Sequence, residues 1–364
     1  MIFLNIIYIK NTITIMTPKI IKYLNYTPSL EAAIYSGDNS IIIGNTFVGR
    51  DTILEKNVVI RGDGKVVNIG KNCLFKNRST VHVAAEIQGT EIGDNSIIGE
   101  YSIIHACKLG QNIIVGNNSV VMDGSELGDN TIIENNTLIP PGKKFDSYSL
   151  IEGSPGKVIE KITEKQYLLY KKNIRKSKNE LLINNNYNYR SYLEKRMPAT
   201  RYTKKNINNT FVAPDAEIYQ TIEINEYSSI WFSVYIFSSK NNGKLILGKG
   251  SNIQDNCILN TLGQEILIEK RVTIGHNVII LGKSHIKNDA VIGMGSILES
   301  NCIIGNNSFV GANSFVKAGT IVPDNTIYAG KPAKFFRKVN EKEKLFFREG
   351  QKIYENLACN YNNY

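Results

Sequence analysis

Four histidines are the residues of this 364-residue chain with the most specific chemistry: His82, His105, His276 and His285. An imidazole can bind zinc or act as a general base. A histidine at the corner of a repeated structure is, however, often only a tolerated polar residue, so residue type alone assigns no role. The five cysteines are odd in number and form no Cys-x-x-Cys pair. They favour reduced thiols in a cytosolic or matrix compartment over a disulfide framework.

The elements that must position these histidines are defined by a six-residue repeat. An aliphatic or aromatic residue recurs every six positions, with short breaks, from Ile42 to Ile139 and again from Val212 to Val316. A period of six fits neither an α-helix nor an alternating strand. It predicts a triangular β-helix in which each hexad forms one side and the repeated residue points inward. Gly and Asn at the corners accept the left-handed backbone angles of tight bends.

The two series are copies of one unit. Gly-Ser-Pro-Gly at 153–156 corresponds to Gly-Lys-Pro-Ala at 330–333, 177 residues later, and helix-like sequence follows each. We therefore predict an all-β solenoid: two tandem left-handed parallel β-helices (hexapeptide repeats), each followed by a C-terminal α-helix. The helices are expected from about Val158 to Lys178 and from Phe335 to Ala358. The predicted division is 1–33 for an N-terminal extension, 34–158 for the first β-helix, 159–206 for a basic helix and linker, 207–334 for the second β-helix, and 335–364 for the C-terminal helix.

The formal net charge of +10 comes from one segment. Residues 157–205 contain 14 Lys or Arg against 4 Asp or Glu, and the rest of the chain is balanced. A basic stretch is commonly a solvated helix face, and no nucleic-acid-binding signature accompanies it, so no nucleic-acid partner is predicted. Our hypothesis is that Lys171, Lys172, Arg175 and Lys176 help to dock the chain on an acidic partner subunit or an anionic membrane leaflet.

The first 30 residues contain no acid and three lysines. They are compatible with a mitochondrial presequence or with a disordered extension that precedes an internal start at Met16. No run of about 18 apolar residues occurs, so no transmembrane helix is predicted.

Several segments resemble the gamma-class carbonic anhydrases. In the second half these are VTIGHNVIILG (272–282) and YAGKPAKFFRKV (328–339), which are most similar to the mitochondrial members. In the first half they are VVIRGDGKVVNIGKNCLF (58–75), IIGEYSIIHACKLG (97–110) and IEGSPGKVIEKIT (151–163).

The resemblance implies a trimer of β-helices that binds zinc through three histidines, two from one subunit and one from its neighbour. Carried over by position, the first half retains two of these ligands as His82 and His105, but has Glu100 at the third position. The second half retains only the third, as His276, and has Asn260 and Leu281 at the other two. One complete set, His82, His105 and His276, would form if the two halves lie side by side. Three histidines with an open fourth position are typical of catalytic zinc, here for reversible carbon dioxide hydration.

The resemblance also implies catalytic roles for Arg61 and Asp63, from an intact Arg-Gly-Asp, and for Gln254. The first half has Lys76 and Asn77 where the family has Gln and Asp beside the metal-bound water, and a lysine there opposes a cation. The second half keeps the pair as Gln254 and Asp255, but in a half that lacks two ligands. His285 is a weaker substitute ligand. In the alternative interpretation, the remaining histidines are relics in a scaffold, so whether the chain is an enzyme stays open.

The predicted function is a gamma carbonic anhydrase-like subunit of a larger assembly of the mitochondrial respiratory NADH dehydrogenase type, mainly structural, with at most one composite zinc site. Two β-helices cannot close a three-fold ring, so a further β-helix subunit is expected as partner. The resemblance to mitochondrial members implies the matrix side of the inner membrane, with a cytoplasmic location as the alternative.

Two other functions compete. The first half also resembles the non-catalytic pointed-end subunits of dynactin, through Arg61-Gly62-Asp63, Lys76-Asn77-Arg78-Ser79 and Ile139-Pro140-Pro141. Bacterial hexapeptide acyltransferases share the repeat and use a histidine as general base. They usually carry a long substrate loop, whereas the breaks in this repeat are short.

Overall fold

The computed structural model describes residues 17–32, 34–85, 87–174, 209–240 and 243–362. Most of the predicted N-terminal extension, and the basic stretch from Arg175 onward, lie outside these residues.

The first half is built from twenty short strands and one helix. The strands are β1 Lys19–Ile21, β2 Ser29–Leu30, β3 Tyr35–Ser36, β4 Ile41–Val48, β5 Ile53–Leu54, β6 Val59–Ile69, β7 Leu74–Phe75, β8 Thr80–His82, β9 Thr90–Ile92, β10 Ile97–Ile98, β11 Ile103–His105, β12 Lys108–Leu109, β13 Ile114–Val115, β14 Val120–Val121, β15 Glu126–Leu127, β16 Ile132–Ile133, β17 Leu138–Ile139, β18 Lys144–Phe145, β19 Ser149–Gly153 and β20 Gly156–Lys161. Helix α1, Glu164–Ile174, follows.

The second half repeats this plan. Its strands are β21 Phe211–Val212, β22 Glu217–Ile218, β23 Thr221–Ile224, β24 Ser229–Ile230, β25 Tyr235–Phe237, β26 Lys244–Leu247, β27 Asn252–Ile253, β28 Ile258–Asn260, β29 Glu265–Ile268, β30 Thr273–Ile274, β31 Ile279–Leu281, β32 Ser284–Ile286, β33 Val291–Ile292, β34 Ile297–Leu298, β35 Cys302–Ile304, β36 Phe309–Val310, β37 Phe315–Val316, β38 Ile321–Val322, β39 Thr326–Gly330 and β40 Ala333–Lys338. Helix α2, Glu341–Asn362, ends the described chain.

Each half is a left-handed parallel β-helix, as predicted. In the second half, strands three apart pair in parallel, so the coils stack into three sheets, β21-β24-β27-β30-β33-β36-β39-β40, β22-β25-β28-β31-β34-β37 and β23-β26-β29-β32-β35-β38. In the first half, the long strands β4 and β6 bend around one corner and join two sides into one sheet. The repeated aliphatic residues are buried in one interior column per half.

Asparagine forms many of the corners. Asn57, Asn118, Asn136, Asn256 and Asn313 all have positive φ, between 54° and 60°. Asparagine tolerates this left-handed region better than most non-glycine residues. The asparagine content of the hexads is therefore a consequence of the triangular coil.

Both predicted helices begin later than expected. After each Pro-containing turn, the chain first returns as a strand, β20 or β40, antiparallel to the last coil strand, β19 or β39. The extended strand continues the hydrogen bonding of the sheet over residues that we had assigned to the helices. Thr163 and Asn340 then cap the helices: Gln166 donates its backbone N–H to Thr163 Oγ1, and Glu343 donates to Asn340 Oδ1.

The two β-helices lie side by side, parallel and at the same level. Near the middle of the prisms, Thr80 Oγ1 is 2.7 Å from Asn277 Oδ1 and accepts from Asn256 Nδ2 at 2.9 Å. Further along, Asn313 Nδ2 donates to the carbonyl of Asn136 at 3.0 Å. Because Asn136 and Asn313 are equivalent positions of the two halves, matching coils face each other.

No helix among the described residues is long and apolar enough to cross a membrane.

Candidate metal centre

Two of the predicted ligands lie on one face of the first β-helix. His82 ends β8 and His105 ends β11, and the two residues are directly paired across these neighbouring strands. Both are buried, with 4% and 7% of their surface exposed. His82 Nδ1 lies 3.3 Å from His105 Nε2.

The third ligand comes from a corner of the second β-helix. His276 follows β30 at the turn before β31 and is fully buried. Its ring centroid is 4.9 Å from that of His82 and 5.7 Å from that of His105. One potential ligand atom from each of the three histidines lies within 4.8 Å of the others. The contact between the halves thus brings together the three residues that the sequence predicted as a composite set.

A carboxylate lies beside the second ring nitrogen of each imidazole. His82 Nε2 is 3.0 Å from Asp63 Oδ1, and His105 Nδ1 is 2.6 Å from Asp123 Oδ1. His276 Nδ1 is 3.1 Å from Asp255 Oδ2, within ion-pair distance but not aligned as a hydrogen bond. Carboxylate partners of this kind fix the ring orientation and tautomer of metal-binding histidines.

Burial favours the neutral imidazoles. It lowers the pKa of His82 to about 3, reinforced by the nearby Arg61 charge and opposed by Asp63. Burial likewise lowers the pKa of His276 to about 4, although Asp255 opposes the shift. At neutral pH the His82 and His276 rings therefore each have one unprotonated nitrogen, the form that binds a metal ion.

Arg61 links the two halves beneath the histidines. Its guanidinium is fully buried, 3.3 Å from Asp63 of the same half and 3.2 Å from Asp255 of the other, and lies over the Trp231 ring at 4.4 Å. Burial by itself raises the pKa of both carboxyls, but Arg61 and the neighbouring histidines outweigh it and hold both below the ordinary value. The cluster therefore carries two buried negative charges beside the imidazoles and one positive charge between them.

Helix α2 covers this cluster. The Tyr354 hydroxyl accepts from Arg61 Nη2 at 3.3 Å and lies 3.3 Å from His276 Nε2. The Tyr361 hydroxyl donates to Asp63 Oδ2 at 2.8 Å. Burial raises the pKa of both tyrosines, so both hydroxyls stay protonated and can donate. Trp231 and Phe232 pack beneath the helix in a core shared by both halves.

The remaining predicted residues lie in different surroundings. Gln254 is buried and its side-chain amide donates to Asn252 Oδ1 at 3.3 Å, and none of the contacts among the described residues joins it to an imidazole. Its catalytic role stays a prediction. His285 lies apart, with Nε2 2.6 Å from Glu269. It therefore does not replace a ligand.

Asn77 lies at a different corner from the one that meets the histidines, and the effect of the Lys76 charge on a bound cation stays a prediction. Asn77 donates to Glu100 at 3.4 Å, at the corner of the first β-helix that corresponds to His276 in the second. The corner that meets His82 and His105 belongs to the second half and carries Asp255. The sequence comparison had matched residues within each half, whereas the site combines a face of one half with a corner of the other.

The sequence analysis missed three residues at the site: Asp123, Tyr354 and Tyr361. A signal for Asp123 was present, because it lies two residues after β14, the strand that pairs with β11 one coil away, and therefore lies near His105 at the end of β11. No comparable signal existed for the tyrosines, because only the path of α2 across the second half brings them to the site.

The arrangement fits a zinc ion. Three imidazoles provide the donor set of many catalytic zinc sites, and a second nitrogen of each ring lies beside a carboxylate. The 3.3 Å between His82 Nδ1 and His105 Nε2 matches the spacing of two nitrogens about 2.0–2.1 Å from one tetrahedral zinc ion.

Comparisons with known proteins agree with this geometry. The chain is 42% identical over 146 residues to a carbonic anhydrase of Geobacillus kaustophilus, covering 40% of this chain and 77% of that protein. This chain belongs to the gamma carbonic anhydrase-like hexapeptide-repeat family. It is also 34% identical over 157 residues to gamma carbonic anhydrase 2, mitochondrial, of Arabidopsis thaliana, covering 41% of this chain and 55% of that protein. The chain thus spans about half the length of this plant relative.

Two family profiles match different parts of the chain. The dynactin subunit 5 profile matches residues 30–183, and the bacterial transferase hexapeptide profile matches residues 283–318. A crystal structure titled putative acetyltransferase, from Desulfovibrio desulfuricans, superimposes with a TM-score of 0.53 at 13% identity, covering 94% of this chain and 82% of that one. At this identity the match shows the fold alone. Within the family, this chain has one converging histidine triad in its described residues, shared between its two fused halves.

Proposed function

We propose that this chain is a gamma carbonic anhydrase-like subunit of a larger assembly and that its two halves bind one zinc ion between them for reversible hydration of carbon dioxide. The convergence of His82, His105 and His276 from two halves that are each incomplete carries this proposal. Bound there, the ion would activate a water molecule as a Lewis acid.

The protein's own residues have separable tasks in this proposal. Asp63, Asp123 and Asp255 orient the three imidazoles, and Arg61 holds two of these carboxylates in place across the contact between the halves. If His276 Nε2 were bound to the ion, the Tyr354 hydroxyl would be free to donate a hydrogen bond to an oxygen ligand at the site instead. Helix α2 would exclude bulk water from this side, because its side chains Tyr354 and Tyr361 pack over the cluster.

The proposal includes a third β-helix. The two fused halves form one contact of the kind that a three-fold ring needs three times. A further β-helix subunit would complete the ring and make the other two contacts. Because both the second half's face and the first half's corner lack zinc-ligand histidines, we propose that the completed ring has one zinc site built by this chain and a mainly structural role elsewhere.

We propose a mitochondrial location, at the matrix side of the inner membrane in a complex of the respiratory NADH dehydrogenase type. The support is the similarity to plant relatives named as mitochondrial. Fractionation of the native complex followed by identification of co-purifying subunits tests this part, and a cytosolic complex would contradict it.

Zinc stoichiometry tests the site directly. Purified chain is expected to contain one zinc, the His276→Ala variant none, and the control variant His285→Ala one, because His285 binds Glu269 away from the triad. Circular dichroism checks that His276→Ala is folded, and His105→Gln serves as a second ligand variant. Zinc that survives both ligand substitutions would disprove the composite site. If the native assembly contains zinc but does not hydrate carbon dioxide, the proposed metal site stands and the proposed catalysis is wrong.

A dynactin-type scaffold is the second candidate, favoured by the profile match over residues 30–183. It predicts a cytosolic complex that contains no zinc. The same fractionation and metal analysis therefore separate the two functions.

A further inference from the structure

Each half exposes four apolar side chains at equivalent positions. In the first half, Val158 and Ile159 lie on β20, and Leu168 and Leu169 lie near the start of α1. Their exposed fractions are 42%, 55%, 55% and 59%. Exactly 177 residues later, the second half exposes Phe335, Phe336, Leu345 and Phe346 by 57%, 66%, 59% and 65%. We call these four-residue groups the first and second apolar patches.

Both patches lie at the same end of the molecule. Strands β20 and β40 are the outermost strands of their sheets, beyond the last coil of each prism. The two prisms run parallel at matched levels, because Asn136 contacts its equivalent Asn313 near this end. The strands that carry half of each patch therefore lie at neighbouring ends of the two prisms, and the first turns of α1 and α2 follow them in the chain.

Basic side chains surround the patches. Lys157, Lys161 and Lys165 are exposed near the first patch, although Lys161 is already paired with Asp146 at 3.4 Å. Lys334, Lys338 and Lys342 are exposed near the second. Lys334, Lys338 and Lys342 form no ion pair with any other described residue. The acids near the second patch are already paired: Glu341 with Lys344, and Glu343 with Arg337.

Protection of a sheet edge does not explain this composition. Lysines on an outer strand prevent pairing with another chain, and they account for the charge of β20 and β40. Exposed phenylalanines on the same strand have the opposite effect, because they favour association. Aromatic and leucine side chains within a rim of lysines are typical of segments that rest in the interface of an anionic bilayer.

We infer that this end of the two prisms is a docking surface for an anionic lipid bilayer, with Phe335, Phe336, Leu345 and Phe346 inserting at the headgroup level and the surrounding lysines contacting lipid phosphates. The first patch would contact the same bilayer with smaller side chains. The inference rests on the proposed location at the inner membrane and deepens it by naming the contact surface. It does not depend on zinc, so the vesicle and zinc experiments can fail separately.

Flotation of purified full-length chain with lipid vesicles tests the inference. We expect the chain to float with vesicles of phosphatidylcholine and phosphatidylglycerol, to float far less with phosphatidylcholine alone, and to be released by high salt. The double variant Phe335→Ser and Phe346→Ser should lower the partition coefficient at least about tenfold, because two large apolar side chains no longer leave water. The double variant Lys334→Glu and Lys338→Glu should weaken binding to the anionic vesicles and leave binding to phosphatidylcholine vesicles unchanged.

Tyr35→Ser is the matched control. Tyr35 is 56% exposed, but it lies on β3, the outermost strand at the opposite end of the first prism. It should leave vesicle binding unchanged. An equal loss of vesicle binding in the Tyr35→Ser control and in the phenylalanine double variant would overturn the inference. Equal binding to neutral and anionic vesicles would do the same. So would sedimentation analysis in which the phenylalanine variant dissociates an oligomer of the chain without lipid, because the patch would then bind a second copy.

Discussion

The two β-helices share one plan but carry opposite parts of the histidine triad. On the side face, His82 and His105 of the first half correspond to Asn260 and Leu281 of the second, and both pairs lie on directly paired neighbouring strands. At the corner the situation is reversed, because the second half has His276 and the first half has Glu100.

The face of the second half has adapted to other contacts. Asn260 holds a loop, since its side chain bonds with Ser239 and Leu262 at 3.1 Å. Leu281 has joined a buried apolar cluster with Phe237, Ile258 and Ile279. Because both halves belong to one chain, the same face always meets the same corner, and the histidines of the triad occur only at the positions that meet.

The largest predicted effect concerns Arg61, the charge that both halves share. Arg61→Met should lower the free energy of unfolding by about 3–5 kcal/mol, because it leaves Asp63 and Asp255 buried without their cation. Urea unfolding measures this. The control is Arg271→Met, which breaks a partly exposed ion pair with Asp289 and should cost at most about 1 kcal/mol. Similar losses in both variants would contradict a central role for Arg61.

A second substitution weakens the contact between the halves without touching the site. Thr80→Val removes the hydroxyl that bonds with Asn256 and Asn277 of the other half, and should cost about 1–3 kcal/mol because buried amide groups lose a partner. Thr320→Val, at an exposed turn of the second half, serves as the control. If thermal unfolding of the Thr80 variant matches that of the control, this contact does not stabilise the pairing of the halves.

Asp123 tests whether the carboxylate beside His105 contributes to zinc binding. Asp123→Asn should lower zinc affinity about 10–100-fold, because the carboxylate that orients His105 is lost. A competition titration with a zinc chelator measures the change. Asp129→Asn, six residues further along the same coil, should have no effect, because Asp129 accepts from the backbone of Gln111 at the surface. Unchanged affinity in both variants would show that the outer carboxylate is dispensable.

The smallest effect is expected from restoring the family residues at the corner of the first half. Lys76→Gln with Asn77→Asp restores the family pair in the first half and should leave zinc affinity unchanged, because that corner contacts Glu100 rather than the histidines. The reverse change at the other corner, Asp255→Asn, should weaken zinc binding. If the double variant at Lys76 and Asn77 changes zinc affinity as much as Asp255→Asn does, the corner of the first half also contacts the metal and our assignment of the corners is wrong.

Sequence patterns were most informative where the structure repeats. The hexads predicted the interior columns, from Ile42 to Ile139 and from Val212 to Val316, because each inward residue packs on its equivalent one coil away. The same repeat would have placed Asp123 on the coil next to His105, one residue beyond the position opposite it. Sequence failed at β20 and β40, where local helix-like composition competes with a sheet edge that accepts one more strand.

The sequence by itself determined the triangular coil, the duplication and the complementary loss of histidines, since all three are encoded in spacing along the chain. Only the tertiary structure decided that His276 meets His82 and His105, that Asp255 rather than Asn77 lies beside them, and that Tyr354 and Tyr361 cover them. These contacts join residues that are far apart in sequence, and they depend on which face of one prism packs on which corner of the other. A six-residue period is the same on all three sides of a prism, so it contains no information on that choice.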